Sequence, residues 1–151
     1  LAPIQKSLIE NSNIMKKITI INGPNLNLLG KREPNVYGNQ SFENFFSDLQ
    51  KKYPDLELKY LQSNVEGVII DYLQQESDKD GIILNAAGYT HTSVSIADAV
   101  KAIEIPVIEV HISNIFAREE FRHTSLIAPY CKGSIIGFGL RGYELAIDAL
   151  R

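Results

Sequence analysis

The chain has 151 residues, 44% of them hydrophobic and 22% charged, proportions that suit one globular domain with a real core. Its net charge of −3 leaves no basic surplus to neutralise phosphates, which argues against a general nucleic-acid binder. No apolar run approaches the ~20 residues of a membrane span. The single cysteine, Cys131, cannot form an intrachain disulfide and reads as a buried filler, so the cytoplasm is the expected compartment. Residues 1–14 show no periodicity, and the one methionine, Met15, stands directly before the first strand. Translation is therefore expected to begin naturally at Met15, with residues 1–14 a foreign extension and 15–151 a single domain.

Lys17 to Asn22 is a β-branched run and predicts a buried strand. Ser41 is a plausible N-cap for a helix in which Phe42, Phe45, Phe46 and Leu49 recur at helical spacing, ending near Tyr53-Pro54. Leu56 to Leu61 alternates as a second strand. Val65, Ile69, Ile70 and Leu73 mark a second amphipathic helix, closed by Asp80-Gly81. Gly81 to Asn85 is a third strand, Ser93 to Ile103 a third helix, Val107 to His111 a fourth strand, Ser134 to Phe138 a fifth, and Tyr143 to Leu150 a last helix. Strands alternating with helices imply a parallel sheet covered on both faces. Right-handed crossovers then favour a flavodoxin-like, doubly wound five-stranded sheet of order 2-1-3-4-5.

Two connections are longer than the usual ~2–6 residues: Gly23 to about Gln40 after strand one, and about Ile112 to Gly133 after strand four. Both fall on the carboxyl edge of the sheet, where open α/β sheets bind ligands. Gly23-Pro24-Asn25 is a turn signal, and Asn22, Asn25 and Asn27 offer amides at the top of strand one. The stretch Gly30 to Gly38 reads as a lid hinged on glycines that carries Arg32 and Tyr37. A guanidinium beside a tyrosine stabilises the phenolate, making the pair a workable general base.

After strand three, Asn85 to Ser93 combines small residues with His91 and leads into a helix whose N-terminus favours an anion. Glu109 and His111 alternate on strand four, so both face one side, and a carboxylate beside a histidine fixes its tautomer. The amides of Ile112 and Ser113, turning off the strand, suit a small anion nest. Arg118 and Arg122 are spaced i, i+4 and share a face if helical, with Glu119 and Glu120 able to pair with them. Each segment alone also has a plainer account as a turn, an exposed loop, a structural hydrogen bond or a solvated helix. Gathered at one sheet edge, they point to proton transfer on an anionic substrate. No phosphate loop, dinucleotide fingerprint, nucleophile elbow or convincing zinc pattern is present, and Lys31 reads as an exposed lid residue.

The blocks from Gly23 to Gly30, Arg32-Glu33-Pro34, Tyr37-Gly38, Asn85 to Ser93 and Glu109 to Asn114 resemble the type II 3-dehydroquinate dehydratases, in the right order and spacing from Met15 to the C-terminus. The resemblance implies a flavodoxin-like fold, a dodecamer built as a tetramer of trimers, and no metal or organic cofactor. It also implies conversion of 3-dehydroquinate to 3-dehydroshikimate and water, in the shikimate pathway or in quinate breakdown. In this reading Tyr37 is the proton acceptor, Arg32 its activator and His111 the proton donor. Asn25 holds a water that stabilises the enolate. Asn85, His91, Ile112, Ser113 and Arg122 bind substrate, and Asp98 reaches a neighbouring subunit's site. Phe116 stands where many relatives carry histidine. The competing reading, a nucleotide- or flavin-binding module, needs a phosphate loop after strand one, where bulky leucines stand instead.

Overall fold

A computed structural model describes residues 14–31 and 39–151. The extension up to residue 13 and the stretch holding Arg32, Tyr37 and Gly38 lie outside the described residues. Five strands form one sheet: β1 (Lys16–Asn22), β2 (Leu56–Gln62), β3 (Gly81–Asn85), β4 (Val107–His111) and β5 (Gly133–Ile136). They lie in the order β2-β1-β3-β4-β5, every pair parallel. Among the described residues four helices cover it: α1 (Phe42–Lys52), α2 (Glu66–Gln75), α3 (Val94–Ala102) and α4 (Arg141–Leu150). This is the doubly wound sheet expected from the alternation.

The central strands β1, β3 and β4 are buried on both sides because both faces are covered, while the edge strands β2 and β5 are only partly so. Ile18, Ile20, Ile83, Ile108 and Val110 point toward α1 and α4, packing with Phe42, Leu49, Tyr143 and Ile147. Ile21, Ile82, Leu84 and Val107 point the other way, onto Ile69 and Leu73 of α2 and Ile96 and Val100 of α3. Each fully buried side chain of this kind contributes about 1.5–3 kcal/mol. Local signals set the helix starts. Ser41 accepts from the Asn44 amide at 3.2 Å and Ser93 from the Ile96 amide at 2.9 Å, and such caps are worth about 1 kcal/mol each.

Apart from one-residue differences at the ends of β1, β2, β5 and α3, three boundaries differ from expectation. β5 stops at Ile136 rather than Phe138, since Gly137 takes φ +92° and Phe138 is 61% exposed; a left-handed residue ends the extended run. Val65 is not on the buried stripe of α2 but is its exposed N-cap. α4 begins two residues early, at Arg141.

Both long connections leave the carboxyl edge. The one after β1 opens with a 3-10 turn, Leu26–Leu28, and the one after β4 holds three, Ile115–Ala117, Glu120–His123 and Ala128–Tyr130. Gly23 permits the exits of β1 and β3 to touch: a Cβ there would stand 2.7 Å from the carbonyl oxygen of Ala86. Among the described residues no helix is long and apolar enough to cross a membrane.

Candidate active site

The exits of β1, β3 and β4 enclose a cleft of about 180 Å³. Its floor comes from β4, where the two-residue period turns Glu109 and His111 to the same side. Both are buried, at 1% and 5% exposure. Nε2 of His111 lies 3.2 Å from Oε2 of Glu109, close enough for an ion pair but off the line an aligned hydrogen bond needs. The carboxylate is held from two further directions, by the hydroxyl of Ser125 at 2.5 Å on Oε2 and that of Ser134 at 2.7 Å on Oε1. Burial pushes the Glu109 pKa up, but the attraction of His111 and the hydrogen bonds from Ser125 and Ser134 outweigh it, and the group sits below the usual carboxylate range. A charge-holding carboxylate therefore lies directly under a histidine.

His91 lies above this floor, its ring stacked on that of His111 with centroids 6.2 Å apart. Its Nδ1 is 2.8 Å from the Thr124 carbonyl oxygen; a carbonyl only accepts, so Nδ1 carries the hydrogen. Burial lowers the His91 pKa, with the charges of His111 and Arg122 acting the same way against the opposing Thr124 bond. His91 ends the 3-10 helix Ala87–His91 that follows β3. The helix N-terminus expected to attract an anion is instead closed by its own cap, Ser93, which is buried.

The three asparagines near β1 have separate fates. Asn25 lines the cleft in a left-handed conformation, φ +70°, and its amide N–H donates to Oδ1 of Asn64 at 3.0 Å. Asn22 is fully buried below, Asn27 is exposed, and neither lines the cleft. Leu26 and Leu29 are buried, so this loop is a packed turn and not a phosphate cradle. Asn85, at the end of β3, lines the cleft, and its Oδ1 accepts from the Ala87 amide at 3.1 Å. That bond supports the left-handed backbone of Ala87, φ +53°, a conformation costing a non-glycine residue about 1–2 kcal/mol.

Ile112, Ser113, Arg118 and Arg122 complete the wall. The two arginines do not share a helix. Arg118 closes one 3-10 turn in an extended conformation, and Arg122 belongs to the next, Glu120–His123. The i, i+4 geometry is thus corrected, although both residues reach the cleft. Arg118 contacts the Ser113 hydroxyl at 3.4 Å, while Arg122 pairs with Glu119 and packs over the Phe121 ring.

Of the residues singled out from the sequence, Asn25, Asn85, His91, His111, Ile112, Ser113 and Arg122 converge on this cleft. Asp98 does not: it is exposed on α3, away from the cleft lining. Arg32 and Tyr37 lie outside the described residues. Sequence reasoning missed Ser125 and Ser134, which are ordinary loop and strand serines until the fold brings them to Glu109. Cys131 is half-buried, its thiol pushed up to about 12 by burial and the nearby Glu109 charge, as suits an inert filler. Among the described residues no three His, Cys, Asp or Glu side chains gather closely enough to hold a metal ion.

Comparison with known proteins shows the family. The model of the family described as Dehydroquinase class II matches residues 16–151. A 3-dehydroquinate dehydratase of Exiguobacterium sp. is 55% identical, the match covering 89% of this chain and 93% of that protein. That of Caldicellulosiruptor bescii is 53% identical over 91% and 97%. The crystal structure of a type II dehydroquinase from Butyrivibrio crossotus superposes with a TM-score of 0.85 at 48% identity, covering 90% of this chain and 97% of that one. A type II dehydroquinase from Propionibacterium acnes gives 0.86 at 39% identity, covering 92% and 98%.

Proposed function

The chain belongs to the dehydroquinase class II family, and from that premise we propose that it is a hydro-lyase that removes water from 3-dehydroquinate to give 3-dehydroshikimate. The observation that carries the reading is the buried Glu109–His111 pair under a cleft walled by Arg118 and Arg122. It offers a proton donor beside groups that suit a carboxylate. The shikimate pathway is the role we assign, with quinate breakdown the other setting of the same reaction.

The substrate is a β-hydroxy ketone with a carboxylate. Tyr37, with Arg32 as its activator, removes the proton next to the ketone. Negative charge grows on the ketone oxygen, where a water held by Asn25 donates to it. His111, oriented by Glu109, gives its proton to the departing hydroxyl, which leaves as water. One base and one acid balance the reaction. Asn85, His91, Ile112, Ser113 and Arg122 hold the substrate; their common place in the cleft lining supports this.

Asp98, exposed and outside its own chain's cleft, is assigned to a neighbour's site in a dodecamer of four trimers. The unpaired thiol of Cys131 suits a reducing compartment, and we assign the enzyme to the cytoplasm.

An ultraviolet assay for the conjugated enone product tests the reading. Wild-type protein raises the absorbance with dehydroquinate. Tyr37→Phe and His111→Ala each lose roughly 10²–10⁴-fold in kcat, the range for removing a general base or acid. Absence of any rise with wild-type protein sinks the activity; a variant retaining a tenth of the rate removes that residue from its role. Reassembling Asp98→Ala with Tyr37→Phe subunits tests the shared site. Hybrid oligomers regain activity if Asp98 serves a neighbour, and stay as inactive as their parents if it does not.

A further inference from the structure

The hydroxyl of Tyr143, on α4, sits between two asparagines that end neighbouring strands. It donates to Oδ1 of Asn22 at 2.8 Å and accepts from Nδ2 of Asn85 at 2.9 Å. Tyr143 and Asn22 are fully buried and Asn85 is 4% exposed. The arrangement is not required by packing. The Tyr143 ring meets Phe42 edge-on at 5.0 Å and Phe45 at 6.0 Å, contacts a phenylalanine would make equally well. A buried hydroxyl without partners is costly, so the polar atom at this position needs an account of its own.

The account lies in the Asn85 amide, the member of this chain that lines the cleft. Its Oδ1 already takes the Ala87 N–H, and its Nδ2 faces the Tyr143 oxygen. A half-turn of the amide would set NH₂ against the Ala87 donor. It would also set Oδ1 against the Tyr143 oxygen, whose hydrogen is committed to Asn22. The Oδ1 of Asn22 takes the tyrosine hydrogen, while its Nδ2 has no aligned partner. The orientation of Asn85 is therefore determined, and what remains for a ligand is the second N–H of Nδ2.

We propose that Tyr143 is a positioning residue that locks the Asn85 amide with its N–H toward an oxygen of the polyhydroxylated acid substrate. The inference rests on the dehydratase reading and carries it to a residue of the last helix that does not line the cleft.

Steady-state kinetics of Tyr143→Phe, with Asn85→Ala and the double variant, test it. In Tyr143→Phe, KM for dehydroquinate rises about 5–30-fold, the worth of one or two hydrogen bonds, and kcat changes much less. In the Asn85→Ala background the same substitution produces no further rise, because its effect passes through Asn85. A purely structural role would lower the melting temperature and the active fraction without moving KM. An unmoved KM in Tyr143→Phe, or an equal further rise on top of Asn85→Ala, overturns the proposal. If Tyr143→Phe does not fold, Asn22→Ser takes its place; it releases the tyrosine hydroxyl, and KM rises if the proposal holds and is unmoved if it fails. Wild-type protein that turns over no dehydroquinate overturns the dehydratase reading and this proposal together, whereas active wild type with unmoved KM in the variant overturns this proposal alone.

Discussion

Two glutamates of this chain are equally buried, Glu76 and Glu109, each at 1% exposure, yet they are held in opposite ways. Glu76, at the C-cap of α2, is met by the ammonium of Lys59 at 2.5 Å and that of Lys79 at 3.9 Å. Its charge is cancelled by lysines that reach in from the surface. Glu109 is met by two neutral hydroxyls, with His111 beside it. Hydroxyl donors stabilise a carboxylate without neutralising it, so its charge stays available to whatever proton His111 carries. A carboxylate cancelled by lysine is a structural joint. One held only by serines next to a histidine is chemical equipment.

The widest separation of the two comes from removing each charge. Glu109→Gln should lower kcat roughly 10²-fold, the lower end of what an oriented general acid contributes, with the fold retained. Glu76→Gln should leave kcat unchanged and lower the unfolding free energy by about 2 kcal/mol, the value of a hydrogen bond to a charged group. Enone-assay kinetics and denaturant melts on both variants decide it, and equal effects on kcat would erase the distinction.

A smaller effect sharpens it through pH. The folded Glu109 pKa lies below its unfolded value of about 4.3 and that of His91 below about 6.5. In both cases the unfolded chain binds the proton more readily. The stability they contribute is therefore present above those unfolded values and is lost as pH falls through the folded ones. The unfolding free energy should fall first below about pH 6.5 as His91 charges, and further below about 4.3 as Glu109 protonates. Ser134→Ala deletes one of the hydroxyls on Glu109 and should cost about 1 kcal/mol at pH 7, a deficit that shrinks as the carboxylate protonates. Chemical denaturation from pH 7 down to pH 2 measures it; a deficit constant across that range would mean Ser134 acts by packing and not through the charge.

What could be read from the chain follows the range of the forces involved. The first strand announces itself as a β-branched run and α1 begins at a serine cap, and crossover handedness narrows the sheet orders toward the one observed. Glu109 and His111 were legible because a two-residue period is local. The long connections marked the functional edge for the same reason. Ser125 and Ser134 were not, being 16 and 25 residues from the carboxylate they hold. Nor was Tyr143, which is 58 and 121 residues from its two asparagines. For Arg118 and Arg122 the spacing argument named the right residues with the wrong geometry, since consecutive 3-10 turns carry both to the cleft without a shared helix face. Asp98 carries no local signal and entered only through resemblance to a family.

The contact between the exits of β1 and β3 at Gly23 also limits how this site can be remodelled. Since even a methyl group there would collide with the carbonyl of Ala86, no side chain fits without prising apart the turns that carry Asn25 and Asn85. A mutational library that diversifies the loop after β1 has freedom only downstream of this pivot. Altered substrate preference would then come from that downstream stretch, which carries Asn25, and from the wall contributed by β4 and its long connection.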